Sequence, residues 1–305
     1  MKTSASTFSV QVDVTNPGQF FACCGLLELT HRFWPGVEGW FDQGNETFSV
    51  SCEDASAALD ELMNRLRTCE IAGLTNIEKK ERDELKKEKR QLQRDGKKLP
   101  YPKEARRVEL GTKAREGAVI FGAPFSLVLN WWQSVDEQTP KTWAGRQEIH
   151  KIARAAQDAL AAIADFTQLF NHACVMRLPA EYRSKPGDEK KAVEPFYFDA
   201  RRFVHSLDTG FSLDVQDAET VAHPAVELLA LVGLQRFRPV ASEERGALDY
   251  FVWSTPLSVS VASAVAAGAA AYPDASLYKS HLRYRDNQRR YKAFSETNPL
   301  TEPTK

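Results

Sequence analysis

Apolar and polar residues alternate from Phe8 to Val14 (FSVQVDV), the period of a strand with one face buried. Asn16-Pro17-Gly18 breaks that strand, because proline fixes φ and glycine tolerates conformations that other residues avoid. From Gln19 to Phe33 apolar residues recur every three or four places, which predicts a helix with one buried face ending at Trp34-Pro35-Gly36. Gly39–Phe41 and Thr47–Ser51 read as two strands joined by a turn over Asp42–Glu46. The carboxylates of Glu53 and Asp54 suit a helix N-terminus, and Leu59, Leu62, Met63 and Leu66 then fall on one side. The order β-α-β-β-α predicts an α+β chain whose N-terminal part, residues 1–76, is ferredoxin-like.

The pattern changes at Ile77. Up to Glu116 apolar residues are sparse and helix formers dense, with 15 Lys or Arg against 9 Asp or Glu. This segment is basic inside a chain of net charge −1. Leu85, Leu92 and Leu99 stand seven apart, a single apolar position per heptad and too narrow a seam for a coiled coil. Gly96 and Pro100-Tyr101-Pro102 interrupt it, so residues 77–116 read as an inserted helical arm followed by a looser basic return. Lys86-Lys87, Lys89-Arg90, Lys97-Lys98 and Arg106-Arg107 suit phosphate contacts, which supply affinity without sequence specificity. The alternative is a solvated helix whose charges pair among themselves.

The remainder, 117–305, reads as mixed α and β. Val119–Gly122 and Phe125–Trp132 are strand-like, with Trp131 and Trp132 read as core and rim rather than as a base-stacking platform. Thr142 opens an amphipathic helix predicted to reach Ala164, with a further core helix through Phe166, Leu169 and Phe170. At its start Trp143-Ala144-Gly145-Arg146 is either a phosphate docking point, with Arg146 as its cation, or a helix cap on a buried tryptophan. Leu178–Val193 is polar and reads as a mobile loop. His223–Phe237 is a buried helix, Asp249–Trp253 a strand, and Ser258–Ala271 a close-packed run of small residues. Between Lys279 and Lys292, Arg283, Arg285, Arg289 and Arg290 alternate with Tyr278, Tyr284 and Tyr291, the mixture that single-stranded RNA requires: guanidinium forks for phosphate, rings for bases.

Composition narrows the class. With 43% hydrophobic and 27% charged residues the chain is ordinary for a soluble protein, and 305 residues suffice for one large core or two modest ones. Five scattered cysteines without a CxxC pair argue against a disulfide framework or zinc knuckle and for a reducing, cytoplasmic setting. Met1–Ser6 leads straight into a strand, so no secretory signal is expected, and the most apolar run, Val259–Ala271, is too short for a membrane span. The six histidines form no metal-binding pattern, and neither a P-loop nor GxSxG is present. His205 beside Asp208 and close to Arg202 is the one constellation that a metal-independent ribonuclease could use. Cys23-Cys24 read as small buried hydrophobes.

The run NPGQFFACCGLLEL (Asn16–Leu29) followed by EGWF (Glu38–Phe41) resembles the N-terminal signature of the Csb-type proteins of subtype I-U (also called I-G) CRISPR–Cas systems. A second patch, Pro195–Asp199 with Arg201, Arg202 and Phe203, is similar to the same family. The charged middle and the C-terminal tail carry no such match. Csb-type proteins are grouped with the large-subunit components of Cascade-like effectors. The resemblance therefore implies a non-catalytic, cytoplasmic subunit in antiviral defence, with guide RNA and/or target DNA and other effector subunits as partners, and with no membrane and no cofactor. Asp199, Arg201 and Arg202 among aromatics would then hold RNA or a neighbouring subunit, or else form an internal ion pair. An RNA-processing endoribonuclease and a protein-interaction scaffold are the alternatives.

Overall fold

In the computed structural model, which describes residues 6–53, 58–133, 140–144, 147–202, 219–285 and 291–299, strand β1 (Ser6–Gln11) leads into helix α1 (Pro17–Phe33). Strands β2 (Glu38–Phe41) and β3 (Thr47–Cys52) and helix α2 (Leu59–Thr68) follow. A short β4 (Ile71–Ala72) precedes two consecutive helices, α3 (Asn76–Arg94) and α4 (Tyr101–Glu116). Then come β5 (Val119–Phe121), β6 (Leu127–Leu129), α5 (Ile149–Ala159), β7 (Cys174–Val175), β8 (Val221–Ala222) and α6 (Pro224–Arg236). The chain closes with β9 (Val240–Ala241), β10 (Ala247–Trp253), β11 (Leu257–Ser258), α7 (Val259–Ala266), β12 (Ala275–Tyr284), β13 (Lys292–Phe294) and β14 (Asn298–Pro299).

The architecture is mixed α+β, with several small antiparallel sheets. In the first, β3 lies between β1 and β2 and runs antiparallel to both, while β11 extends the β2 edge. The strand after α2 does not join this sheet: β4 pairs with β5, and β5 with β6. A third sheet has the order β13-β12-β10-β9, with β14 also on β12.

Helix α1 was expected to bury one face; it is buried on every side from Pro17 to Thr30. The reason is α6, itself buried from Pro224 to Leu234, which lies against the side that the sheets leave open. Two glycines permit the contact. A Cβ on Gly25 would stand 1.9 Å from the Leu229 carbonyl oxygen, and one on Gly233 would stand 2.0 Å from that of Phe21, so the backbones touch. Glu28 on α1, also buried, accepts from Arg32 at 2.7 Å and from Arg236 of α6 at 2.5 Å. On the other side Phe20 packs among Phe41, Tyr250 and Trp253, and the Trp253 indole donates to the Gly39 carbonyl at 2.7 Å. One continuous hydrophobic cluster runs from Val10 to Phe294, so segments 1–76 and 117–305 contribute to the same core.

Several elements differ from the periodicity-based reading. Helix α2 opens at Leu59 rather than Glu53. The basic return after Gly96 is a regular helix, because Pro100-Tyr101-Pro102 sits at its start, where proline has no hydrogen bond to lose. The helix expected from Thr142 begins at Ile149 and stops at Ala159, and Phe166–Gln168 is a single tight turn. Within Phe125–Trp132 only Leu127–Leu129 is strand, and Trp131 and Trp132 pack edge-on with Trp143 in a buried cluster. Residues 178–193 are tied down by turns: Asp188 accepts from the Ser184 and Lys185 amides, and Val193 donates to the Met176 carbonyl. Among the described residues no helix is long and apolar enough to cross a membrane.

Candidate nucleic-acid interface

The two sequence patches that carry the resemblance meet in space, Asn16 of the first reaching Asp199 of the second. Asn16 caps α1 by accepting from the Gly18 amide at 3.1 Å, and the same oxygen accepts from the Ala200 amide. Its amide nitrogen donates to Asp199 at 2.8 Å. Gly18 lies so close to the second patch that a Cβ would stand 2.2 Å from the Phe198 carbonyl oxygen. Asp199 is buried; Arg201 grips it through Nε at 2.9 Å and a terminal nitrogen at 2.6 Å, and His223 Nδ1 lies 3.1 Å away. Burial opposes this charge, but Arg201 and His223 overcome it and hold Asp199 well below the usual carboxylate range. Glu227, deeper still, accepts from the Phe198 and Asp199 amides; burial, reinforced by the Asp199 charge, pushes it up to about 8.

Asp199 and Arg201 form an internal ion pair, one of the two arrangements that the sequence left open. The second terminal-nitrogen bond of Arg201, to the Phe170 carbonyl at 2.7 Å, leaves little of its fork for phosphate. A shallow cavity of about 390 Å³ lies beside it, but Asp13 and Glu46 share the lining with Gln19, Asn171 and Arg201, which disfavours an anion. The side chain of Arg202 lies outside the described residues, as do Arg146, His205 and Asp208.

The arm is an antiparallel helical hairpin. Thr75 and Glu78 form a reciprocal cap at the start of α3, and the buried residues of the two helices are at this base: Arg82 and Leu85 on α3, Leu110 and Ala114 on α4; Leu99, in the turn at the far end, is buried too. Arg82 also reaches Glu148, at the start of α5, at 3.1 Å. Along the shaft the acids and bases pair across the helices, Glu78 with Lys113, Glu81 with Arg106, Glu88 with Lys103 and Glu104 with Lys89, and Glu104 also pairs with Arg107 within α4. Three residues expected to meet phosphate, Lys89, Arg106 and Arg107, therefore have carboxylate partners within the arm. Lys86 is half-buried, and loss of water lowers its pKa.

At the far end the balance reverses. Among the described residues Arg90, Arg94, Lys97 and Lys98 at the tip are exposed and form no ion pair, with the exposed Asp95 beside them; the same holds for Lys87 on the shaft and Lys80 near the base. Tyr101 stands at the tip with 84% of its surface exposed. Arg94 and Tyr101 were not singled out in the sequence, since one is an isolated basic residue between Gln93 and Asp95 and the other is flanked by prolines. Only the fold of the hairpin brings them to the same tip.

The C-terminal basic–aromatic stretch is a strand and hairpin, not a tail. Arg283 is exposed on β12. Arg285 is turned inward, its guanidinium 3.3 Å from the Tyr197 ring centre and its Nε donating to the Lys292 carbonyl at 3.3 Å. Arg289 and Arg290 lie outside the described residues. Elsewhere, burial drives the Cys23 and Cys24 thiols far above their ordinary range and lowers His150 to about 4.

Comparison of the chain with family models, with curated proteins and with solved structures returns no match.

Proposed function

We propose that this protein is a non-catalytic subunit of a type I, Cascade-like CRISPR effector complex that binds nucleic acid through the tip of its helical arm. The observation that carries the nucleic-acid part is the segregation of charge along the hairpin. Acids pair with bases down the shaft, while four exposed cations without carboxylate partners among the described residues, Arg90, Arg94, Lys97 and Lys98, lie at the end with an exposed tyrosine. Such a tip presents charge for phosphates and a ring for stacking. The effector assignment comes from the sequence resemblance of Asn16–Leu29, Glu38–Phe41 and Pro195–Phe203. It is consistent with a ferredoxin-like reading of the N-terminal part, in which β3 separates β1 and β2 as in a split βαβ unit. Guide RNA or target DNA and other subunits are the partners, in the cytoplasm.

The test is binding of the full chain to labelled CRISPR-repeat RNA across a salt series, with RNA integrity followed on a gel. Wild type should bind with an affinity that falls steeply with salt, and the RNA should stay whole. The triple variant Arg94→Glu, Lys97→Glu, Lys98→Glu should lose at least tenfold in affinity and flatten the log–log slope by about 0.7 per contact removed. Cleavage at one position would overturn the non-catalytic reading. Absence of binding at low salt would leave only a scaffold role.

A further inference from the structure

The two sides of α3 are used differently. Arg82, Leu85, Glu88 and Lys89 share the side that is buried or paired, with Glu148, Lys103 and Glu104 as the ionic partners. Lys87, Arg90, Gln91 and Arg94 stand at i, i+3, i+4 and i+7, a single stripe on the opposite side. All four are exposed, and among the described residues their side chains have neither an ion pair nor a hydrogen bond. The one acid between Lys87 and Arg94 is Glu88, which is turned to Lys103 at 2.6 Å. Asp83 and Glu84 lie one turn nearer the base, and Asp95 follows the stripe at the helix end.

Like charges at i,i+3 and i,i+4 work against a helix, and Lys87 with Arg90 and Arg90 with Arg94 are two such pairs. On the paired side of the same helix every comparable cation has a carboxylate. A polyanion laid along the stripe would relieve this repulsion and release its own counterions. The stripe is straight and about 10 Å long. A strand of a duplex winds away from such a row, whereas a flexible single strand can lie along it. Tyr101, beyond its end, offers a ring that only an unpaired base can stack on. We propose that the face of α3 from Lys87 to Arg94 is a track for the backbone of a single-stranded nucleic acid, with Lys87, Arg90 and Arg94 each meeting a phosphate and leading the strand to the tip. The proposal rests on the nucleic-acid reading above and adds to it the path of the ligand and its class.

The experiment uses the full chain and a fluorescein-labelled twelve-nucleotide RNA without self-complementarity, alone or annealed to its complement, with affinity read by anisotropy across a salt series. Lys87→Gln and Arg90→Gln should each weaken single-strand binding about fivefold at about 0.1 M salt and flatten the log–log slope by about 0.7, the contribution of one phosphate contact. Gln91→Lys adds a cation to the stripe and should strengthen binding and steepen the slope by the same amounts, a gain that misfolding cannot produce. Gln93→Lys, about 200° round the helix from it, should bind within twofold of wild type. An equal gain in Gln93→Lys would show that net charge rather than a track governs binding, and would overturn the proposal. Tighter binding of the annealed RNA would overturn it as well. If Lys87→Gln and Gln91→Lys both stay within twofold of wild type while the tip triple variant loses affinity, the track falls and the tip reading stands. If wild type does not bind the single strand even at low salt, both fall.

Discussion

Gly25 sits where no side chain fits, with the Leu229 carbonyl oxygen 1.9 Å from the position its Cβ would take. Gly25→Ala must therefore force α1 and α6 apart, and we expect a loss of roughly 3 kcal/mol in urea unfolding, at the upper end for overpacked cores. A control at Gly96, where a Cβ would meet nothing but φ is +69°, should cost only about 1 kcal/mol through backbone strain. Glu227 makes a pH prediction. Its folded pKa, about 8, lies above the unfolded value, so the folded state holds a proton that the unfolded chain releases. Stability contributed by that proton falls as pH rises from about 4.5 to 8. The difference in unfolding free energy between wild type and Glu227→Gln, which cannot titrate, should thus move against wild type across that window. A pH-independent difference would rule out the buried proton. The residues behind this chemistry were visible in the sequence only as a motif. Asn16, Gly18 and Asp199 could be named, but nothing local indicated that they touch one another across 183 positions.

The arm owes its behaviour to a ladder of ion pairs between exposed groups, each contributing little to stability. Those same pairs set how much positive charge the arm offers to a ligand. Replacing Glu81 and Glu104 with glutamine releases Arg107 and Lys89 and leaves Arg106 with Glu109 alone. The double variant should bind single-stranded RNA more tightly and with a steeper salt dependence, while the midpoint of thermal unfolding changes by only a few degrees. Unchanged affinity would mean that the shaft never approaches the ligand. Composition made the arm and its excess of base legible, since 15 bases against 9 acids need no fold to count. Which bases are consumed was not legible, because Glu81 with Arg106 and Glu88 with Lys103 pair through the return of a second helix, and Pro100-Tyr101-Pro102 hid that return by looking like a break.

The whole molecule has one core to which both ends of the sequence contribute. Replacing residues 90–101 with a short Gly-Ser turn removes the arm tip and with it the buried Leu99, but none of the buried base, Arg82, Leu85, Leu110 and Ala114. The shortened protein should unfold in a single cooperative transition near the wild-type midpoint while losing salt-dependent RNA binding. Two separate transitions would contradict the shared core. At this scale the sequence period found β1, α1, β2 and β3 well, because the strands alternate and the apolar residues of α1 recur at helical spacing. It did less well after Thr142, where short turns and an aromatic cluster replace periodic elements. The paired shaft has one more implication. Because successive rungs recur at helical spacing, adding seven residues to each of α3 and α4 would keep every rung in phase and carry the tip outward by about 10 Å. The hairpin is a ruler whose length can be reset by whole heptads, moving the point at which a bound strand is gripped without disturbing the body that holds it.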